Sequence, residues 1–352
     1  MPYTDAELLD MVTPVRQDRI RFDLLDKSLD KIGEVDVRAD SVPTVAVDTS
    51  RSIIRTMSGL KLDADSEQNV DTFSARIRPV YVLGNGSEYP LGVFLFADAS
   101  RVRFSYGLEL DGTLVDQTLI VDQGWPDGTT FQAGTVLSEA MRLLSLRAGI
   151  PSLSIEPTAL VLSAPISWPI GTTTLRAMRD LCVLAGYLPP YFDRGGTLVF
   201  RTAPFFFPAT PTVVYGPGGR IIAESMVESD DLLSAPNRYV AIENGPGSTP
   251  ISGIFDIPAS APQSYANRGF YVTKIVEAQG LTDTAAAVNA ARAEYESDSD
   301  TLRSVVFQST PDPRHDVFDI VEYLGVKYWE LGWKLPLSIG GPMEHSLRGT
   351  DG

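Results

Sequence analysis

The segment from Ser309 to Gly325, STPDPRHDVFDIVEYLG, gathers the residue types of acid–base and metal chemistry. It holds His315, one of only two histidines in the 352-residue chain, with Asp312, Asp316 and Asp319 around it. An imidazole beside carboxylates can shuttle protons or help to hold a divalent ion. A catalytic zinc normally takes three protein ligands, mostly histidines at short spacing, and the second histidine, His345, falls on a different predicted strand. The sequence has no HExxH pattern and no G-x-S-x-G elbow. Proline at 313 bars Asp312 from a helix interior, and FDIVEY alternates Phe318 and Ile320 against Asp319, Val321 and Tyr323. The segment therefore reads as a turn that delivers the chain into a strand. No catalytic, metal-binding or cofactor-binding residue is assigned, and no cofactor is expected.

The other chemical candidates are weaker. LDADSEQNVD spaces Asp63, Asp65, Glu67 and Asp71 like a calcium loop, but Gln68 and Ser74 stand where an EF-hand needs glycine and glutamate. A solvated loop is the expected state. GPGGR, ending at Arg220, opens no helix and reads as a turn rather than a phosphate cradle. The 45 acidic residues allow many carboxylate pairs, and nothing singles out two of them for glycoside hydrolysis. Trp329 and Trp333 lie four residues apart on a predicted strand, hence on one face. They are candidate core or subunit-interface residues, with sugar stacking as the alternative.

The formal net charge of −16 argues against a nucleic-acid-binding surface, which needs clustered Lys and Arg, and against docking on anionic membranes. Cys182 is the only cysteine, so no disulfide can form within the chain and no four-thiolate zinc site is possible, as expected in a reducing compartment. MPYTDAELLDM has no basic stretch before an apolar run, so no leader is expected. The apolar runs GVFLFA and LVLSAPI are far short of the ~18 residues of a membrane helix, so no membrane anchor is expected. With 29 glycines and 25 prolines, the chain should be rich in turns and strands.

The elements that must position these residues follow from the periodicities. RIRFDLLD alternates Ile20, Phe22 and Leu24 as a half-buried strand. Asn85-Gly86 and Asp111-Gly112 predict hairpin turns between apolar runs. Two amphipathic helices follow, with stripes Leu137, Ala140, Met141, Leu144 and Leu175, Met178, Cys182, Ala185. Thr135 is the expected N-cap of the first, and Gly149 and Gly186 the expected C-terminal stops. AMRLLSLRAG and AMRDLCVLAG start at Ala140 and Ala177, 37 positions apart, and each is followed by an extended stretch, which suggests two related helix–strand units. After the Pro/Gly-bounded join APFFFPATPTVVYGPGG, strands resume around one Ala-rich helix with Leu281, Ala285, Val288 and Tyr295 near one face. The fold class is α+β, mainly β. Three segments are expected: a β-barrel-like domain over 1–128, an α/β insertion over 129–204, and a β-rich domain with one helix over 205–352, with discontinuous domains allowed.

A series of stretches along nearly the whole chain carries a family likeness: RFDLLDKSLDKIGEVDV, VDTSRSIIRTMSGLKL, RPVYVLGNGSEYPLGVFLFAD, GYLPPYFDRGGTLVFR, ESMVESDDLLSAPNRYVAI and MEHSLRG. Together they resemble the baseplate hub, or minor tail, proteins of long-tailed phages, especially those of actinobacterial hosts. A helix followed by DPRHDVFDIVEY is similar to a hub element that often carries Gly-Asp before its strand, where this chain has Phe318-Asp319. The resemblance implies two β-barrel-like domains with α/β pieces between them, packed as a homotrimeric ring in the virion, at the tail tip, after assembly in the host cytoplasm. It implies as partners the distal tail protein above, tail fibre, spike or receptor-binding proteins below, the end of the tape measure protein, and DNA passing through without specific binding. Some hubs carry an appended lysozyme or peptidase domain; none is expected after the last strands here. A tail-tip hydrolase of cell wall or polysaccharide and a glycan-binding adhesion module are the alternatives.

Overall fold

A computed structural model describes residues 18–62, 70–104, 107–202, 210–216, 221–230, 235–243, 251–261, 263–277, 284–299 and 303–349. Asp63, Asp65 and Glu67 of the candidate calcium loop, residues 217–220 of GPGGR, Leu281 and the N-terminal stretch MPYTDAELLDM lie outside the described residues.

Alternation builds the strands. In Thr44–Asp48 the buried residues are Val45 and Val47, and in Met343–Gly349 they are Met343, His345, Leu347 and Gly349. Such strands leave two edges of unpaired backbone groups, and here the edges of the two halves meet. The Val326–Pro336 strand pairs antiparallel with Thr44–Asp48 from Gly332↔Asp48 to Pro336↔Thr44. One 15-stranded sheet therefore runs from Ile221–Asp230 through Arg303–Ser309, Met343–Gly349 and Val326–Pro336 into Thr44–Asp48, Arg55–Leu62 and Gly107–Asp116, ending at Arg19–Leu25 and Lys31–Glu34. The mainly β class is as expected, and no closed barrel occurs among the described residues. A barrel closes by pairing its own first and last strands. The Thr44–Asp48 edge is instead taken by a strand from the other end of the chain.

The central stretch folds around its own cluster of buried side chains, from Val121 to Phe200. The helices Leu137–Arg147 and Thr174–Ala185 bury both predicted stripes. Thr129–Phe131 pairs antiparallel with Ile166–Trp168, and Leu153–Ile155 pairs in parallel with Leu198–Phe200. Each unit is thus strand, helix, strand, in agreement with the internal likeness of the sequence. Gly149 and Gly186 take φ of 72° and 67° at the two helix ends. The first helix, however, is capped at Val136 rather than Thr135, without a side-chain hydrogen bond.

Two more local expectations fail for identifiable reasons. Asp111-Gly112 is not a turn but lies inside the Gly107–Asp116 strand, whose register slips against Arg55–Leu62 between Met57 and Leu60. A Cβ on Gly112 would come within 2.4 Å of the Asp98 carbonyl oxygen, so the glycine serves a close backbone approach. On the Thr284–Ser299 helix the expected inward face is corrected at Ala285, which is exposed: Ala287 and Ala291 are buried instead, while Val288 is half-buried and Tyr295 packs against the same cluster. The reason is Gly253 on the adjacent strand, which lets the helix backbone approach so closely that only alanines fit between them.

Candidate functional site

The Ser309–Gly325 segment is the predicted turn, and it is also where the chain's ionisable groups converge. After the Arg303–Ser309 strand it crosses the end of the sheet and re-enters it at Ile320–Tyr323. Its charged residues either brace the loop itself or fasten it to other parts of the molecule. Asp312 is fully buried and accepts from the Arg314 guanidinium and, at 3.1 Å, from the Arg314 backbone N–H, which fixes the Pro313 turn. Asp316 accepts from the buried Arg55 of the N-terminal half and, at 3.2 Å, from the backbone N–H of Arg194 in the central module. Arg55 also donates to the Leu91 carbonyl at 2.8 Å and lies 5.6 Å from the centre of the Trp333 ring. Asp319 accepts from the backbone N–H of Asp316 at 2.8 Å. Three stretches distant in sequence thus meet on one loop.

Phe318 holds a φ of 58°, the left-handed region that favours glycine. This is the position where the resembled hub element often carries glycine. The phenylalanine stays because its ring packs edge-on against Tyr191, with centroids 5.4 Å apart.

His315 enters the core below the loop. Its Nδ1 lies 2.5 Å from Oε2 of Glu330, and Nδ1 of His345 lies 2.8 Å from Oε1 of the same carboxylate. On the far side of the rings, Nε2 of His315 is 2.8 Å from the Tyr215 hydroxyl. Nε2 of His345 is 2.8 Å from the Ser309 hydroxyl and 3.3 Å from that of Tyr215. His315, Glu330 and His345 are each at most 1% exposed. The strand period explains the placement. Glu330 occupies an inward position beside Tyr328 on Val326–Pro336, and His345 sits between Met343 and Leu347 on Met343–Gly349.

The surroundings oppose charge. Burial pushes the Glu330 carboxyl up to about 6, although hydrogen bonding to His345 pulls the other way. Burial, followed by the negative charge of Glu330, likewise lifts Asp319 to about 6. Burial lowers the His345 imidazole despite its bond to Glu330. A trio sealed in this way has no face open to a substrate.

His345 does lie on a different strand, as expected, and the fold brings it and His315 to one carboxylate. Trp329 and Trp333, however, do not share a face. A bulge between Glu330 and Gly332 shifts the register against Met343–Gly349, so Trp329 opposes Arg348 while Trp333 opposes His345. Trp333 is 2% exposed in the chain's own core, while Trp329 is half-buried. The signal that could have located the trio is an acid and a histidine at inward positions of two core strands.

No protein-family model matches the sequence, and no curated protein does. The fold does match solved structures. A tail protein from Neisseria meningitidis is similar over 94% of this chain and 96% of its own, with a TM-score of 0.65 at 13% identity. The 43 kDa tail protein of prophage MuSo2 from Shewanella oneidensis is similar over 94% of this chain and 98% of its own, with a TM-score of 0.66 at 12% identity. This chain has the fold of a phage tail protein. The tail-protein fold also extends to the E. coli c3393 protein, a type VI secretion component described as similar to the T4 tail proteins gp27 and gp5. That likeness has a TM-score of 0.50 at 9% identity over 90% of this chain and 74% of the other.

Proposed function

We propose that the chain is a structural subunit of a phage tail tip: a baseplate hub that assembles as a homotrimeric ring and acts through shape rather than catalysis. The observation that carries this reading is the end-to-end agreement of fold with two tail proteins, one of them from a prophage, with neither chain leaving a substantial part unmatched. The similarity to a protein described as gp27- and gp5-like supports placing it at the tip. The ring would join the distal tail protein to fibre or spike proteins and surround the path of the tape measure protein and of DNA. Each copy adds 16 net negative charges, which suits a conduit that DNA passes without adhering. The buried trio supports a non-catalytic role, since its side chains are closed to any polymer of sugar or peptide. Trp329 is the remaining aromatic candidate for a contact between subunits.

The test is the mass of the purified chain by light scattering across a concentration series, together with its copy number in a virion map. A trimer present as a ring at the tail tip is the expected result. A monomer at all concentrations that is absent from virions would overturn the proposal, as would a lytic band on a host cell-wall zymogram.

A further inference from the structure

His315, Glu330 and His345 come from one loop and two strands, and their ligand atoms all lie within 4.8 Å of one another. A zinc-sized ion bound at ~2.1 Å to each of three tetrahedral ligands sets them ~3.4 Å apart. The two carboxylate contacts, at 2.5 and 2.8 Å, are shorter than that, so small side-chain rotations would open the trio around an ion.

Proton accounting is compatible with such a site. The single hydrogen of the Ser309 hydroxyl can go to the Thr310 carbonyl at 2.9 Å or to Nε2 of His345 at 2.8 Å. In the first arrangement Nε2 of His345 carries a hydrogen and its Nδ1 turns a lone pair toward Glu330 at 2.8 Å, a buried contact that a metal ion or a proton between the two atoms would satisfy. Tyr215 and Ser309, on the outer nitrogens, have the arrangement of groups that orient metal-bound imidazoles.

We propose that Nδ1 of His315, Nδ1 of His345 and the Glu330 carboxylate form a structural site for one divalent transition-metal ion of the zinc class. Two imidazoles and one carboxylate suit zinc, nickel or cobalt better than magnesium or calcium. The ion is taken up as the chain folds, because the ligands are sealed from solvent, and it pins the 309–319 loop to the sheet. The proposal stands independently of the tail-tip reading.

The experiment uses the full chain, untagged, produced in zinc-supplemented medium and dialysed against metal-free buffer. Elemental analysis should find about one zinc per chain. Removal by chelator under partly denaturing conditions should lower the melting temperature, and re-addition should restore it. Refolding in cobalt should give the intense visible bands of a low-symmetry site, and His345→Gln should lose both metal and bands. The wild-type measurements need no variant, so a misfolded His345→Gln leaves the test intact. A chain that refolds in zinc without retaining it, and melts alike with and without chelator, overturns the proposal and assigns the gap to a shared proton. Substoichiometric metal whose removal leaves melting unchanged is adventitious and overturns it equally.

Discussion

Replacing Arg55 by methionine tests the claim that the 309–319 loop ties distant parts of the chain together. Arg55 is 1% exposed and its guanidinium bridges the Asp316 carboxylate and the Leu91 carbonyl. Methionine fills much of the space but leaves both acceptors short of a donor. Breaking one side of a buried ion pair costs about 3–5 kcal/mol. Asp316 is 22% exposed and keeps the Arg194 backbone N–H, which places the loss at the lower end, ~3 kcal/mol. An unfolding entropy of about 2.1 cal/mol/K per residue gives ~0.7 kcal/mol/K for a chain of this length, so the melting temperature should fall by about 4 °C. Differential scanning calorimetry reads that shift. Asp316→Asn and the double variant complete a cycle, in which the second substitution should cost well under its single-variant amount. An Arg55→Met protein melting within 1 °C of wild type, or strictly additive losses, would refute the idea that this pair fastens the loop.

Gly332→Ala should destabilise by ~2 kcal/mol or more, because the new Cβ would meet the Val47 carbonyl oxygen at 2.5 Å; denaturant unfolding checks this, and a neutral effect would contradict the close pairing of the two halves. Asp23 is fully buried; burial raises its pKa, but hydrogen bonds from Arg21, Lys31 and Arg78 outweigh this and hold it at about 2. Its folded pKa is depressed, so its contribution is present above the unfolded value of ~3.9 and fades as pH falls toward 2, at most ~2.6 kcal/mol. Asp23→Asn should flatten that part of the acid-unfolding curve, and an unchanged curve would count against the ion cluster. Cys182 is buried with its thiol pushed up to about 12, chiefly by desolvation, so a thiol reagent should react only after denaturant is added. Prompt reaction in the native state would contradict the packing of the Thr174–Ala185 helix.

Much of the local structure was legible in the chain itself, because strand and helix periods depend on near neighbours. The two stripes of the central module, its paired units and the Asn85-Gly86 turn were set by residues within a few positions of one another. The mainly β class followed from strand alternation and glycine and proline content, and the single cysteine excluded a four-thiolate zinc site. The turn at Asp312-Pro313 was also legible, since proline's geometry is local. Tertiary structure decided what depends on residues far apart in sequence. The pairing of Gly332 with Asp48 joined strands from the two ends of the chain in one sheet. The bulge after Glu330 put Trp333 in the core and Trp329 on the opposite face, an outcome set by the partner strand's register. His315, Glu330 and His345 stand 15 residues apart at each step, with no spacing motif to join them. They meet because antiparallel pairing folds two inward-facing positions beneath one loop. Period-2 alternation fixes which side chains share a face, but only the assembled sheet fixes which of them touch.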